Sequence, residues 1–176
     1  MRIVKKIVFG LLVLIVLLLV VALFIPKDYT VSVSTTINQP KGIVFDYVKL
    51  IKNQEEYSVW VMQDPNVVMK YTGTDGTVGF KAEWNSKDDN VGEGSQQISK
   101  ITDDRIDVDL HFERPMKGDA KAATFVEDVS GNQTKITNEF YGHSDYPMNL
   151  MCIIGKKFIT DAQTQNLANL KKILEK

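Results

Sequence analysis

Residues 106–113 read Ile-Asp-Val-Asp-Leu-His-Phe-Glu, a strict alternation of apolar with charged or polar side chains. Successive side chains on a strand point to opposite faces, so this stretch is a strand with one buried and one wet face. Ile106, Val108, Leu110 and Phe112 form the inward row. Asp107, Asp109, His111 and Glu113 form the outward row. The same period extends both ways. Upstream lie Val67–Thr72, then Val78, Phe80, Ala82 and Trp84 in alternation, then Gly92–Ile101. Downstream lie Lys121–Val129 and Thr134–Tyr141. Short polar or glycine turns separate them: Gly73-Thr74-Asp75-Gly76, Lys87–Asn90, Asp103-Asp104, Arg114–Asp119 and Ser130-Gly131-Asn132. Six strands joined this tightly predict an antiparallel meander.

Before the meander, Tyr29–Ile37 alternates as a further strand. Asn38-Gln39-Pro40 is a helix start, and Val44, Tyr47, Val48 and Ile51 share one helical face. A short helical piece is expected over Lys52–Tyr57. After the meander, Pro147 opens a helix running nearly to Lys176, with Met151, Ile154 and Phe158, then Leu167, Leu170 and Leu174, as its apolar face. A curved antiparallel sheet of about seven strands around a long C-terminal helix buries both, an α+β architecture.

Ile7–Ile25 is different in kind: 19 residues without a charged or polar side chain. As a helix it is about 28 Å long, close to the thickness of a hydrocarbon core. Arg2, Lys5 and Lys6 precede it with no acid among them, while Pro26-Lys27-Asp28 follows without net charge. The positive flank predicts a cytoplasmic N-terminus and a domain on the outer side. A cleaved signal peptide shares the first features, but the apolar run is long and no A-x-A-like site follows it. The chain therefore divides into an anchor, residues 1–26, and a domain, residues 27–176.

That domain carries 18 bases against 22 acids. No basic patch of the kind nucleic-acid binding needs is visible. The single cysteine, Cys152, makes an internal disulfide impossible, so the fold rests on its apolar core. Two histidines and one cysteine at unhelpful spacing leave no metal site, and no cofactor motif is present. Gly73, Gly76 and Gly79 lack the following helix and Lys-Ser/Thr of a phosphate loop, and Ser95 lies within a strand. His111 stands on the wet face. His143, at the end of the last strand, is the better candidate for ligand contact.

The domain resembles the START-like, Bet v 1-like superfamily, of the polyketide cyclase/dehydrase and lipid-transport type. The likeness spans residues 30–175. It rests on Ile37-Asn38-Gln39-Pro40 leading into Val44–Val48, on Trp60, Asp64-Pro65, Tyr71-Thr72-Gly73, Gly76–Gly79 and Trp84, and on Val91–Gly94, Gln97-Ile98, Phe112–Pro115 and Thr134–Thr137. The resemblance implies a helix-grip fold with a deep cavity between sheet and C-terminal helix. There, members hold lipids, sterols or polyketides and a minority catalyse. Asn138 stands where many relatives carry an aromatic ring.

Trp60, Phe80, Trp84, Phe112, Phe140, Met148, Met151 and Phe158 are expected to face inward. Gln96 and Asn138 join them as inward amides needing partners that a ligand or water could supply. The candidate ligand-binding set is thus Trp60, Phe80, Trp84, Gln96, Phe112, Asn138, Phe140, His143, Met151 and Phe158. Three readings follow: a membrane-anchored binding domain for a lipid-like or other apolar molecule, a cyclase- or hydrolase-type enzyme using His143 or a buried carboxylate, and an interaction or sensory domain without a small ligand.

Overall fold

The computed structural model describes residues 2–176. The inward row of the alternating strand sits where its pattern requires. That strand, Arg105–Arg114, is β5 of a seven-stranded antiparallel sheet ordered β1-β7-β6-β5-β4-β3-β2. The others are β1 (Asp28–Ile37), β2 (Val68–Thr72), β3 (Lys81–Asn85), β4 (Glu93–Ile101), β6 (Gly118–Ser130) and β7 (Gln133–His143). β2 to β7 form the meander, and β1 closes the sequence by pairing with β7.

The helices are α1 (Arg2–Ala22), α2 (Lys41–Val48), α3 (Gln54–Tyr57), α4 (Val59–Gln63) and α5 (Cys152–Leu174). Tight 3-10 turns at Ile51–Asn53 and Met148–Met151 precede α3 and α5. α5 is about 34 Å long by its 23 residues and packs along β1. Its C-terminus is tied to the β1–α2 corner, where Gln39 Nε2 donates to the Leu174 carbonyl at 2.6 Å.

Two expectations shift in detail. The apolar helix ends at Ala22 rather than Ile25, and the strand read from Val78 begins only at Lys81. Gly73, Gly76 and Gly79 all take positive φ there, so the β2–β3 connection is one broad turn. Phe80 nonetheless joins the sheet register, with its carbonyl accepting from the Ile98 amide at 3.0 Å.

The core sits at the end of the sheet away from α1. Ile37, Val44, Val48, Ile51, Tyr57, Phe80, Ala82, Ile98, Ile106, Val126, Ile136, Leu167 and Leu170 form one buried cluster. Thus α2, the 3-10 turn after it and the last turns of α5 plug that end of the curved sheet.

Candidate functional site

Strand register assigns every side chain to a face. The concave row through β5 continues sideways as Gln96–Leu110–Ala120–Gly142–Tyr29, as Ile98–Val108–Ala122–Phe140–Val31, and as Ile106–Thr124–Asn138–Val33. Beyond these lie Trp84, Gly94 and Phe112. These residues face α5. Yet Val108, Leu110, Phe112, Ala120, Ala122, Thr124, Asn138, Phe140, Tyr29, Trp84 and Gln96 are only half-buried. The core end of the same face is sealed. The concave face is therefore filled at one end and accessible at the other.

Small residues keep it accessible. Ala120 and Ala122 occupy the centre, between Leu110 and Val108 on one side and Gly142 and Phe140 on the other. Two glycines let rings lie flat across the strands. A Cβ at Gly94 would stand 2.6 Å from the Trp84 ring, and one at Gly142 would run into the Tyr29 ring. Trp84 then meets Phe112 edge-on with centroids 6.0 Å apart, and Tyr29 meets Phe140 at 6.1 Å. Burial, and after it the nearby Cys152 thiol, pushes the Tyr29 hydroxyl above its ordinary value of 10.0.

The inward amides find protein partners. Thr124 Oγ1 donates to Asn138 Oδ1 at 3.1 Å, and Asn138 Nδ2 donates to Gln163 Oε1 at 3.0 Å. Gln96 Nε2 donates to Gln54 Oε1 at 2.8 Å. The polar middle of α5 is explained the same way: Asn166 Oδ1 accepts from the Val59 amide at 2.8 Å, and Asn169 Nδ2 donates to the Tyr57 carbonyl at 3.1 Å. These amides fasten α5 to the sheet and to α3–α4, so no ligand is required to satisfy them.

The candidate residues are thus partly brought together. Trp84, Gln96, Phe112, Asn138 and Phe140 share the accessible concave face. Phe80 is sealed in the core at 1% exposure, stacked on Tyr71. Trp60 lies on α4, off the sheet. Met148, Met151 and Phe158 do not face inward, because α5 turns another side to the sheet. Its buried or half-buried line is Cys152, Gly155, Ile159, Ala162, Gln163, Asn166, Leu167 and Leu170. Cys152, Gly155 and Ala162 on that line are small, while Met151, Ile154 and Phe158 point away.

His143 stands on the convex side, one register step from inward Gly142. It is half-exposed, with Nδ1 2.6 Å from Asp28 Oδ1 and Nε2 3.5 Å from Asp145 Oδ1. The Asp28 contact first, then Asp145, raises its pKa above 6.5, and Asp119 with Glu113 does the same for His111. A raised imidazole pKa gives stability that is complete below 6.5 and fades as pH rises through the folded value. Both rings are expected to titrate above 6.5 by NMR, with thermal stability falling as pH is raised past that point. A ring titrating at or below 6.5 would break this account of its contacts. Among the described residues, no strand turns a carboxylate or imidazole onto the accessible end of the concave face; Asp128, level with Thr134 at the opposite end of β6, is exposed.

Two surface hollows border the sheet. One, about 420 Å³, runs between β1 and the end of α5, lined by Val33, Thr35, Thr164 and Leu167 among others. The second, about 370 Å³, lies on the other side of the sheet around Lys70, Glu83, Ser95 and His111. Of the candidate set only Trp84 touches either.

No protein-family model and no curated protein matches the sequence. Solved structures do. Norcoclaurine synthase from Thalictrum flavum, in complex with dopamine and hydroxybenzaldehyde, superposes with a TM-score of 0.62 at 9% identity. The match covers 83% of this chain and 86% of that one. Ara h 8.0201 gives 0.54 at 12% identity, covering 81% and 98%. A protein from Mesorhizobium loti gives 0.60 at 13%, covering 83% and 96%.

The fold is the Bet v 1-like helix-grip fold. Within that fold, the accessible concave face is the side of the sheet turned toward the C-terminal helix. The candidate set left out Tyr29, Val108, Leu110, Ala120 and Ala122, although the alternation had already put Val108 and Leu110 on the inward row. The signal was present in the register: Ala120 and Ala122 are small exactly where the row would otherwise fill.

Proposed function

We propose that this protein is a membrane-anchored binding domain that holds an apolar small molecule against the concave face of its Bet v 1-like fold. One observation carries the proposal: apolar side chains that face α5 remain half-exposed, from Val108 through Phe112 and across Ala122 to Phe140. Apolar surface left accessible inside a concavity gains about 25 cal/mol per Å² when a ligand covers it. The wall is apolar and aromatic, with Asn138, Thr124 and Gln96 as its polar points, the usual make-up of a small-molecule site. The accessible end of the face carries no acid or imidazole, which favours holding over catalysis.

The anchor reading is supported by what α1 touches. No side chain from Ile3 to Val21 is buried, and mean hydropathy over the span is 2.9. The far end is different. Ala22 is 1% exposed, and Asn149, equally buried, donates from Nδ2 to the carbonyls of Ala22 and Ile25 at 2.7 and 2.8 Å. A segment destined for removal has no need of a buried joint to the domain. The positive flank places the N-terminus inside and residues 27–176 outside.

Energy transfer from tryptophan to an anthroyloxy-labelled fatty acid tests the binding reading on the full chain in nanodiscs. Trp84 at the concave face is expected to transfer on saturable binding. Ala122→Phe, which fills the centre between Val108 and Phe140, is expected to weaken binding at least about tenfold, or about 1.4 kcal/mol, while thermal stability stays close to the parent. Equal affinity in a folded A122F variant would place the probe elsewhere.

A further inference from the structure

The outward side of α5 is the feature that the binding reading leaves unused. Met148, Met151, Ile153, Ile154 and Phe158 are all between 48% and 66% exposed, in one stretch of chain. Across the mouth, the β5–β6 loop adds Met116 at 63%. A water-facing surface rarely gathers large apolar side chains this way without a use for them.

Their place in the fold names the occupant. Strand directions put the start of β1, the end of β7, the β5–β6 loop and the start of α5 at one end of the sheet. That end is also the accessible end of the concave face and the end where α1 joins. The joint is hydrogen-bonded: Asn149, inside the Met148–Met151 turn, donates to the carbonyls of Ala22 and Ile25. Met148 and Met151 are therefore within one helical turn of the point where the chain leaves the bilayer. Leu23 and Phe24, exposed between span and domain, continue the same surface. Lys156 and Lys157 flank the apolar side chains, exposed, with Lys156 Nζ 5.7 Å from the Tyr29 ring centroid at the mouth. Lysines at such a boundary can lay their stems on apolar surface and reach anionic headgroups.

We propose that Met116, Met148, Met151, Ile154 and Phe158 form a rim that enters the headgroup and upper acyl region of the bilayer. The concave face then opens toward lipid rather than water. This rests on the anchor reading and adds to it a fixed orientation of the domain, with the far loops pointing away from the membrane.

Spin labels on the full chain in phosphatidylcholine/phosphatidylglycerol vesicles test it. Labels are placed through Ile154→Cys at the rim, Val13→Cys in the span and Val78→Cys in the far β2–β3 turn. All three positions are exposed in the protein. The wild-type chain, whose only cysteine is the buried Cys152, is the labelling blank. Expected is an excess of oxygen over nickel-chelate collisions at Ile154→Cys and Val13→Cys, and the reverse at Val78→Cys. Met151→Cys is expected to repeat the rim result. If the rim labels collide freely with nickel while the span label does not, the rim proposal is overturned and the anchor stands. Rim labels shielded from both agents and broadened by spin–spin coupling would overturn it in favour of a second copy covering this face. A water-accessible Val13→Cys label would remove the anchor and the rim together.

Discussion

Replacing Leu14 and Leu17 together by arginine is expected to abolish membrane retention. Each arginine near the centre of a span costs about 2.5–3.5 kcal/mol on insertion scales, so the pair opposes insertion by about 5–7 kcal/mol. Among the described residues nothing compensates. Leu14 and Leu17 are exposed, and α1 packs only through its last residues. Carbonate extraction of membranes reads the result. Wild-type protein should stay in the pellet and the L14R/L17R variant should be released or fail to accumulate. Full retention of the double variant would show that α1 does not cross the bilayer. The buried joint at Asn149 makes a sharper companion statement: mature wild-type protein should begin with the α1 sequence when its mass is measured.

Phe80→Ala is expected to destabilise the domain by about 3–5 kcal/mol, in line with other buried phenylalanine truncations. The ring is 1% exposed, stacked on Tyr71 at 5.9 Å and surrounded by the buried cluster around Ile98, Leu167 and Leu170. Denaturant unfolding checks this. A change below about 1 kcal/mol would mean that the end of the sheet is not the sealed core described here. Phe80→Ala and Ala122→Phe together separate the two ends of one face. The first should strike stability, the second ligand binding.

The two halves of that face were not equally legible in the sequence. Alternation at 106–113 assigned each β5 residue to its side, because a period of two admits only one phase when one face is charged. The same rule placed Trp84, Phe112 and Phe140 inward. Phe80 shows the limit. Alternation says which way a side chain points, not what lies opposite it, and here α2 and the end of α5 cover it.

The C-terminal helix shows a different limit. Met151, Ile154 and Phe158 make an apolar stripe at helical spacing, and such stripes usually face the core. Here the inward line opens instead with Cys152, Gly155 and Ile159. Under the rim proposal the apolar stripe answers to a second apolar medium, which a periodicity rule for water-soluble domains does not contain. Asn138 faces inward as expected, but what it bonds to was hidden for a third reason. Its partners, Thr124 and Gln163, lie on another strand and another element, 14 and 25 residues away. No local pattern shows that an amide pair will meet across a fold. The amide at 138 is thus a structural tie between β6, β7 and α5 that also borders the concavity.

Extraction and mass spectrometry of protein purified from membranes as the full chain tests the central claim most directly. Wild-type protein should carry an apolar molecule in close to one-to-one ratio, and folded Ala122→Phe purified alongside it should carry far less. Wild-type protein that is folded and empty, or that carries the same lipids in the same amount as Ala122→Phe, would contradict the assignment of the concave face as a binding site.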